Sequence, residues 1–481
     1  MLLETALPDP ADLARSARSL LHAGRPGAAR PLIAALRRIE PERDGLVLLE
    51  SELAEAEGRI PDAVAALGAA LDARPAAADL LKRRAGLLHQ AGEAEAAIRD
   101  AADAVIAAPG DAAAKALLGV LLMENGDSSA ALACLAEALA ADPDNVEFRL
   151  GCAEAASRTG DAARAALLLE EGIARAPGRA DLREAAIRAA LRRDDPAKAE
   201  QLGTSALAGG LAGTTIFRLL GEAAAAQGRV AEAAIWLTEA LKLDPADVSL
   251  RHMAAAFGAM PPPERAPPEA VCARFEAAAP GFARAMIAAG DRVPGLMRAA
   301  VVAGMRLPPA GRVGPVLDLG CGSGMAAVAL SDLALGPFIG LDLSPAMLLA
   351  AKEWGLYGEL VEADLAAFLG AEERTFPLIL AADVLTWFGP LRPIFSAVRS
   401  RLARDGRFIL SLETMSAGPP EARGWKLRTD GSYAHAAAFC ERSAREAGFR
   451  VLDLAAKTLR FESGAPVGGL IAVLGRGDDA E

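Results

Sequence analysis

The segment Asp318-Leu-Gly-Cys-Gly-Ser-Gly324 sets three glycines at alternate positions behind a carboxylate, between the apolar Val316-Leu317 and the run Met-Ala-Ala-Val-Ala-Leu. Glycines there permit unusual dihedrals and let backbone amides touch a ligand, while the following helix presents its N-terminus. A dinucleotide site spaces its glycines G-x-G-x-x-G and puts a pyrophosphate on that helix end. Here the spacing is G-x-G-x-G (Gly320, Gly322, Gly324), and Asp318 would repel a pyrophosphate but suit a ligand carrying an ammonium group. A nicotinamide-dependent oxidoreductase is therefore disfavoured. A second acid, Asp342, ends the apolar part of Gly-Leu-Asp-Leu-Ser-Pro, 22 residues after Gly320. A carboxylate so placed can accept both hydroxyls of a ribose, and Ser344-Pro345 supplies an N-cap and first-turn proline for the next helix. A third acid stands in Glu362-Ala-Asp364-Leu365, where it can accept from an adenine amino group while the neighbouring backbone meets the ring.

An acid for an ammonium, an acid for a ribose and an acid for a purine, in that order, describe S-adenosylmethionine. Positioning them requires alternating strands and helices. Strand patterns run over 314–319, 338–343, 360–363, 378–382, 407–412, 450–454 and 470–474, separated by helical stretches and preceded by helical pattern over 270–306. That alternation predicts a mostly parallel seven-stranded sheet covered on both faces, a Rossmann-like α/β domain with ligands at the carboxyl ends of its strands.

The first half of the chain is built differently. Glycine recurs at 24, 58, 92, 126, 160 and 228, a spacing of 34 with Asp194 filling the one gap. Proline follows 17 residues after each glycine, at 41, 75, 109, 143, 177 and 245, and the exception, Leu211, falls in the same copy as Asp194. Alanine stands five residues after the glycine position in all seven copies, at 29, 63, 97, 131, 165, 199 and 233. A two-helix unit uses glycine to end its first helix, alanine where helices approach closely, and proline past the end of the second. Stacked copies bury what one copy cannot, so an all-α solenoid is expected. Gly209-Gly210 in the sixth copy is expected to bend or loosen it.

Over 10–247 these repeats resemble the tetratricopeptide family, with 248–260 as a capping helix. The proline-rich Pro261 to Glu269 then reads as a spacer, leaving 1–9 and 478–481 as tails and 270–477 as the second domain. That domain resembles the class I S-adenosylmethionine-dependent methyltransferases, through VLDLGCGSG, GLDLSPAML, GELVEADL and LILAADVLTWFGPL. The whole resembles bacterial methyltransferases that carry tetratricopeptide repeats. The resemblance implies contacts from Asp318, Gly320, Gly322 and Gly324 to the methionine part of the donor, from Asp342 to its ribose, and from Asp364 and Leu365 to its adenine. It also implies Ala382, Asp383, Thr386 and Trp387 near the reacting methyl, with Tyr433 and His435 near the acceptor. Asp383 and His435 are the candidate bases, needed only if the acceptor must lose a proton. Two positions depart from the family pattern: Pro377 replaces an acid opening the fourth strand, and Asp291 replaces a tyrosine ahead of the first. Cys321, between glycines, reads as a small filler.

The resemblance thus implies transfer of a methyl group to an acceptor, with the repeats recruiting a protein or peptide partner. The alternative is a scaffold whose methyltransferase-like domain binds the donor without turnover. A net charge of −12 and a pI near 5.1 argue against a nucleic-acid partner. The five cysteines are scattered without a CxxC pair, so neither disulfides nor a metal site are expected. The acidic, proline-containing start lacks the pattern of a signal peptide, and no apolar run reaches membrane-spanning length, so a cytoplasmic protein without a membrane partner is expected.

Overall fold

A computed structural model describes residues 9–41, 44–279, 281–308, 311–415, 423–462 and 464–477; most of both expected tails lies outside them. The chain divides into two compact units, the first ending at Ala212 and the second running from Gly213.

The first unit holds six helix pairs, from Pro10–His22 with Pro26–Ile39 to Ala180–Arg192 with Pro196–Ala208. Each pair turns where the 34-residue marker stands. In the first, Gly24 takes a φ of 67° and the next amide, on Arg25, reaches back to the Leu20 carbonyl at 2.9 Å. Asp194 does the same work in the sixth pair at a φ of 56°, the left-handed region that acidic side chains tolerate better than most. The alanines five residues on are buried against the partner helix in every copy. Apolar clusters link each pair to the next: Leu67 and Leu71 pack with Leu80, Leu81 and Ala114. This is a tetratricopeptide-type solenoid.

The second unit begins with the seventh pair, Thr214–Ala226 and Val230–Leu243, and the short helix Val248–Ala256. The compact division therefore falls just after Gly209-Gly210, whereas composition alone places it at the proline-rich segment. Hydrogen bonding explains the difference. Prolines donate nothing, but the segment between them is knitted into the second unit: Ala266 donates to the Trp387 carbonyl at 2.9 Å, and Glu264 accepts from Gly389 at 2.8 Å.

The sheet of this unit follows, in chain order, β1 (Val316–Leu319), β2 (Phe338–Asp342), β3 (Tyr357–Glu362), β4 (Phe376–Ala381), β5 (Leu402–Glu413), β6 (Trp425–Leu427), β7 (Tyr433–His435), β8 (Phe449–Glu462) and β9 (Ala465–Arg476). Seven of them form one sheet in the order β3-β2-β1-β4-β5-β9-β8. The first five are parallel; β9 runs antiparallel to both β5 and β8. Because β8 thereby runs with β5, its end at Arg460–Glu462 lies on the same edge as the carboxyl ends of β1 to β5. Strands β6 and β7 pair as a separate ribbon. Each sheet face is covered by its own apolar cluster, as expected for parallel strands buried on both sides.

Candidate functional site

The loop after β1 is shaped by its glycines in different ways. Gly320 has a φ of 64°, and a Cβ there would lie 2.3 Å from Cγ2 of Val384. Gly322 has a φ of 51° but faces open space. Gly324, at a φ of 86°, ends the loop as the N-cap of Met325–Leu330.

The loop curls round two acids. Asp342 accepts from the Gly322 amide on one carboxylate oxygen and from the Ser344 amide on the other, each at 2.9 Å. Burial raises its pKa, opposed by these amides. Asp318 is wholly buried at the end of β1; one oxygen accepts from the Tyr357 hydroxyl at 2.7 Å and the other, Oδ1, has no partner. Burial lifts its carboxyl to about 7, against the pull of the tyrosine. Ser323 Oγ is likewise buried and unpartnered. Unpaired buried polar atoms are uncommon and call for an explanation. Here Asp318 and Ser323 both line one cavity of about 460 Å³, within the range of small-molecule sites.

That cavity runs along the carboxyl edge of the sheet. On the β2–β3 side it is lined by Asp342, Asp364 and Leu365. Asp364 caps the helix Leu365–Ala371 through the Ala366 and Ala367 amides, and it also holds Arg265 from the proline-rich segment at 2.6 Å. Burial would raise its pKa, but Arg265 and the two amides bring it below the ordinary carboxylate range. On the β4–β5–β8 side stand Asp383, Glu413, Arg460 and Glu462, with Asp291 facing them. Asp383 takes a φ of 55° and exchanges hydrogen bonds with Ser411: its amide donates to Oγ at 2.8 Å and its Oδ1 accepts from Oγ at 2.7 Å. Its other oxygen lies 3.9 Å from Arg460. Burial is the chief cause of its pKa rising to about 6. The outer wall is aromatic: Phe275 sits edge-on to both Trp387 and Phe282, each at 5.9 Å between centroids. Glu276, next to Phe275, fastens that helix to the sheet edge by accepting from Ser344 Oγ at 2.6 Å and the Ala346 amide at 2.9 Å.

Comparison with known proteins decides what kind of domain surrounds this cavity. Residues 316–406 match the family described as a methyltransferase domain, and residues 48–112, 117–180 and 184–248 match the tetratricopeptide repeat. The chain joins a tetratricopeptide repeat array to a methyltransferase domain. It is similar to the ribosomal protein L11 methyltransferase of Cupriavidus pinatubonensis, 33% identical over 96 residues, which cover 20% of this chain and 31% of that one. The 18S rRNA (guanine-N(7))-methyltransferase of Bos taurus is 31% identical over 108 residues, 20% of this chain and 38% of that one. The chain thus spans about a third of the length of these curated relatives. Among solved structures, a tetratricopeptide repeat protein from Parabacteroides merdae matches 52% of this chain and 98% of its own at 19% identity and a TM-score of 0.40. Magnesium protoporphyrin IX methyltransferase from Synechocystis, solved with bound SAH, matches 38% of this chain and 81% of its own at 23% identity and a TM-score of 0.30.

Within the methyltransferase domain, Asp318, Gly320, Gly322, Asp342, Asp364, Leu365, Ala382, Asp383, Thr386 and Trp387 all line the cavity. Gly324 does not; it faces Trp354 and Tyr357 and shapes the loop from behind. Thr386 donates to the Asp383 carbonyl at 3.0 Å, holding the turn after β4.

Two expected residues lie elsewhere. His435 is fully buried, Nε2 donates to the carbonyls of Phe388 and Gly389 at 2.9 and 3.0 Å, and burial drives its pKa down to about 4. It holds the turn behind the cavity and cannot serve as its base. Tyr433 is also fully buried and donates to the Pro263 carbonyl at 2.8 Å, so it anchors the proline-rich segment rather than meeting an acceptor. Cys321 is buried with its thiol raised by burial and by the charges of Asp318 and Asp342, which suits a filler. Of the two departures from the family pattern, Asp291 faces the cavity and accepts from the Val293 amide at 2.9 Å, while Pro377 is half-buried within β4.

Residues missed by sequence reasoning include Tyr357, Arg265, Phe275, Arg460 and Glu462. Tyr357 left a signal, since the chain has only two tyrosines and this one opens β3, two strands from Asp318 in the sheet. The Arg460 and Glu462 pair left none, because only the pairing of β8 with β9 brings their strand end to the site. Among the described residues no helix is long and apolar enough to cross a membrane.

Proposed function

We propose that this protein is an S-adenosylmethionine-dependent methyltransferase that works in the cytoplasm, with its repeats recruiting a protein partner or the acceptor itself. The observation that carries this reading is the wholly buried Asp318, which lines the cavity with Asp342 and Ser323 and whose Oδ1 has no partner. A lone buried carboxylate oxygen is costly unless a ligand satisfies it, and the ammonium of an amino acid does so. Asp342 has lone pairs left beyond its two amide bonds and faces the same space, which suits a vicinal diol. Asp364 is engaged by Arg265, so on the adenine side the Leu365 backbone and the Arg265 guanidinium remain as contacts.

The donor supplies a methyl already activated by its positive sulfonium. What the protein contributes is placement: aligning donor and acceptor with about 3 to 3.5 Å between reacting atoms removes roughly 7 to 11 kcal/mol of barrier. The aromatic wall from Phe275 to Trp387 keeps water from the strand ends. Asp383 is the group placed to take a proton from an acceptor.

Calorimetric titration of the full chain with S-adenosylmethionine is expected to show saturable heat in the micromolar range. Asp342→Asn keeps one acceptor oxygen for the loop but loses the charge, and is expected to weaken binding by about tenfold or more. Silence at high micromolar donor would overturn the reading and favour a scaffold.

A further inference from the structure

The cavity is asymmetric in charge. On its β4–β5–β8 side, Arg460 donates to Glu413 and to Glu462, reaching the latter at 2.9 Å. Arg428, behind the lining, donates to Glu413 and to Asp430, the latter at 2.7 Å. Both guanidiniums are thereby committed to other acids. Asp383 is left with a neutral hydroxyl on one oxygen and, on the other, a guanidinium 3.9 Å away without a hydrogen bond. Asp291 accepts from the Val293 amide and feels the Arg460 charge without a hydrogen bond to it. Two carboxylates thus line the cavity without a hydrogen-bonded cation, while the Trp387 ring of the aromatic wall already carries the Arg274 guanidinium, 5.3 Å from its centroid. Among the described residues no three such side chains come close enough to chelate a metal ion. That the cavity takes a ligand is supported by Asp318 and Ser323, which line it on the β1 side and whose Oδ1 and Oγ are buried and unpartnered.

We infer that the β4–β5–β8 side of the cavity binds an organic ammonium group between Asp383 and Asp291, and that the methyl acceptor is therefore an amine bearing an apolar body, whose nitrogen gives one proton to Asp383 before its freed lone pair forms the bond to the methyl carbon as the methyl–sulfur bond breaks. The word acceptor rests on the methyltransferase reading above; the ammonium site does not. A carboxylate-bearing acceptor meets the same acids as repulsion, and a phenol leaves both unpaired. Binding also carries a pH signature. Asp383 is faced by Ser411 and Glu413 from β5, Arg460 and Glu462 from β8, and Asp291 from the segment before the Val293–Gly304 helix. Burial, with Asp291 and Glu413, raises its pKa, so it becomes neutral on mild acidification while an alkylammonium keeps its charge.

The test uses the full chain and three probes of matched shape, 2-phenylethylammonium, 2-phenylethanol and 3-phenylpropanoate, in calorimetric titrations run beside a titration with S-adenosylmethionine. The ammonium is expected to bind about tenfold or more tighter than the alcohol at pH near 7.5, with the carboxylate weakest. The preference should shrink to about twofold in Asp383→Asn combined with Asp291→Asn, and in the wild type as the pH falls below about 5. Donor titration and thermal melting of the double variant establish that its cavity is still formed. Equal affinity for ammonium and alcohol, or a preference for the carboxylate, overturns the inference even where the donor binds. Ammonium preference with a silent donor upholds the site but removes its reading as an acceptor site.

Discussion

Asp318 is under two opposed demands. Its ordinary pKa near 3.8 rises to about 7 in the fold because burial penalises the charged form more than the Tyr357 hydroxyl favours it. The native state therefore holds that proton more tightly than the unfolded chain. Stability contributed by this group is complete below about 4 and is lost as pH rises through 7, on the order of 4 kcal/mol in all. A cationic ligand reverses the sign, since it needs the ionised form. Asp318→Asn is thus expected to melt several degrees above wild type at pH 8, with the gap narrowing toward pH 4, while donor affinity drops by about tenfold or more. Wild-type donor affinity should rise with pH up to about 7. A variant no more stable than wild type at pH 8 would contradict the account. Asp318 and Asp342 were legible in the sequence because each stands at the end of an apolar strand, Asp318 just before a glycine turn and Asp342 just before the Ser344-Pro345 start of a helix. His435 and Tyr433 were not. Their residue types suggest chemistry, but two alternate residues of a three-residue strand share a face, and nothing in the sequence says that this face meets Pro263 and Phe388 rather than the cavity.

At the scale of the element, the three glycines that look equivalent in the sequence do unequal work. Gly320 must stay bare because the β1 turn crosses the Val384 side chain of the β4 turn, and a methyl there meets Cγ2 at 2.3 Å. Gly320→Ala combines this clash with a left-handed φ and is expected to cost about 2 kcal/mol or more of stability, read by thermal melting. Gly322→Ala faces open space, so only the dihedral opposes it, at about 1 kcal/mol. Its methyl enters the volume assigned to the donor, and donor affinity is expected to suffer more than the melting temperature. If both variants melted alike and both bound donor, the assignment of the open space to a ligand would fail. The sheet strands up to β8 were readable from alternation with helices, but no helix separates β8 from β9, which pair as an antiparallel hairpin where a helical stretch was expected. The full lengths of β8 and β9 were not, since beyond the core their residues pair with each other in a two-stranded extension with little apolar signature. The β6–β7 ribbon, three residues a strand, is too short to show a period at all.

At the scale of the whole chain, composition and hydrogen bonding disagree about where one unit ends. Prolines at 261–263, 267 and 268 mark a spacer by composition, yet the residues between and beside them satisfy buried groups of the methyltransferase domain. Pro263 accepts from Tyr433, Arg265 neutralises Asp364, and just upstream His252 donates to the Gly431 carbonyl at 2.8 Å. Ala255 and Ala266 share an apolar cluster with Trp425 and Tyr433. A chain beginning at Gly213 keeps all of these and is expected to unfold in one transition and to bind the donor with the affinity of the full protein. One beginning at Ala270 leaves the Tyr433 hydroxyl without the Pro263 carbonyl and the Gly431 carbonyl without His252, and leaves the Asp364 carboxylate with its two helix amides but no cation. Orphaning the buried Tyr433 hydroxyl costs roughly 1 to 3 kcal/mol, and the apolar cluster around Trp425 and Tyr433 also loses Ala255 and Ala266. That shorter chain is expected to melt far lower or to fail to fold. Equal melting of the two would mean that the proline-rich segment is a spacer after all, and that the seventh repeat belongs with the array by stability as well as by sequence.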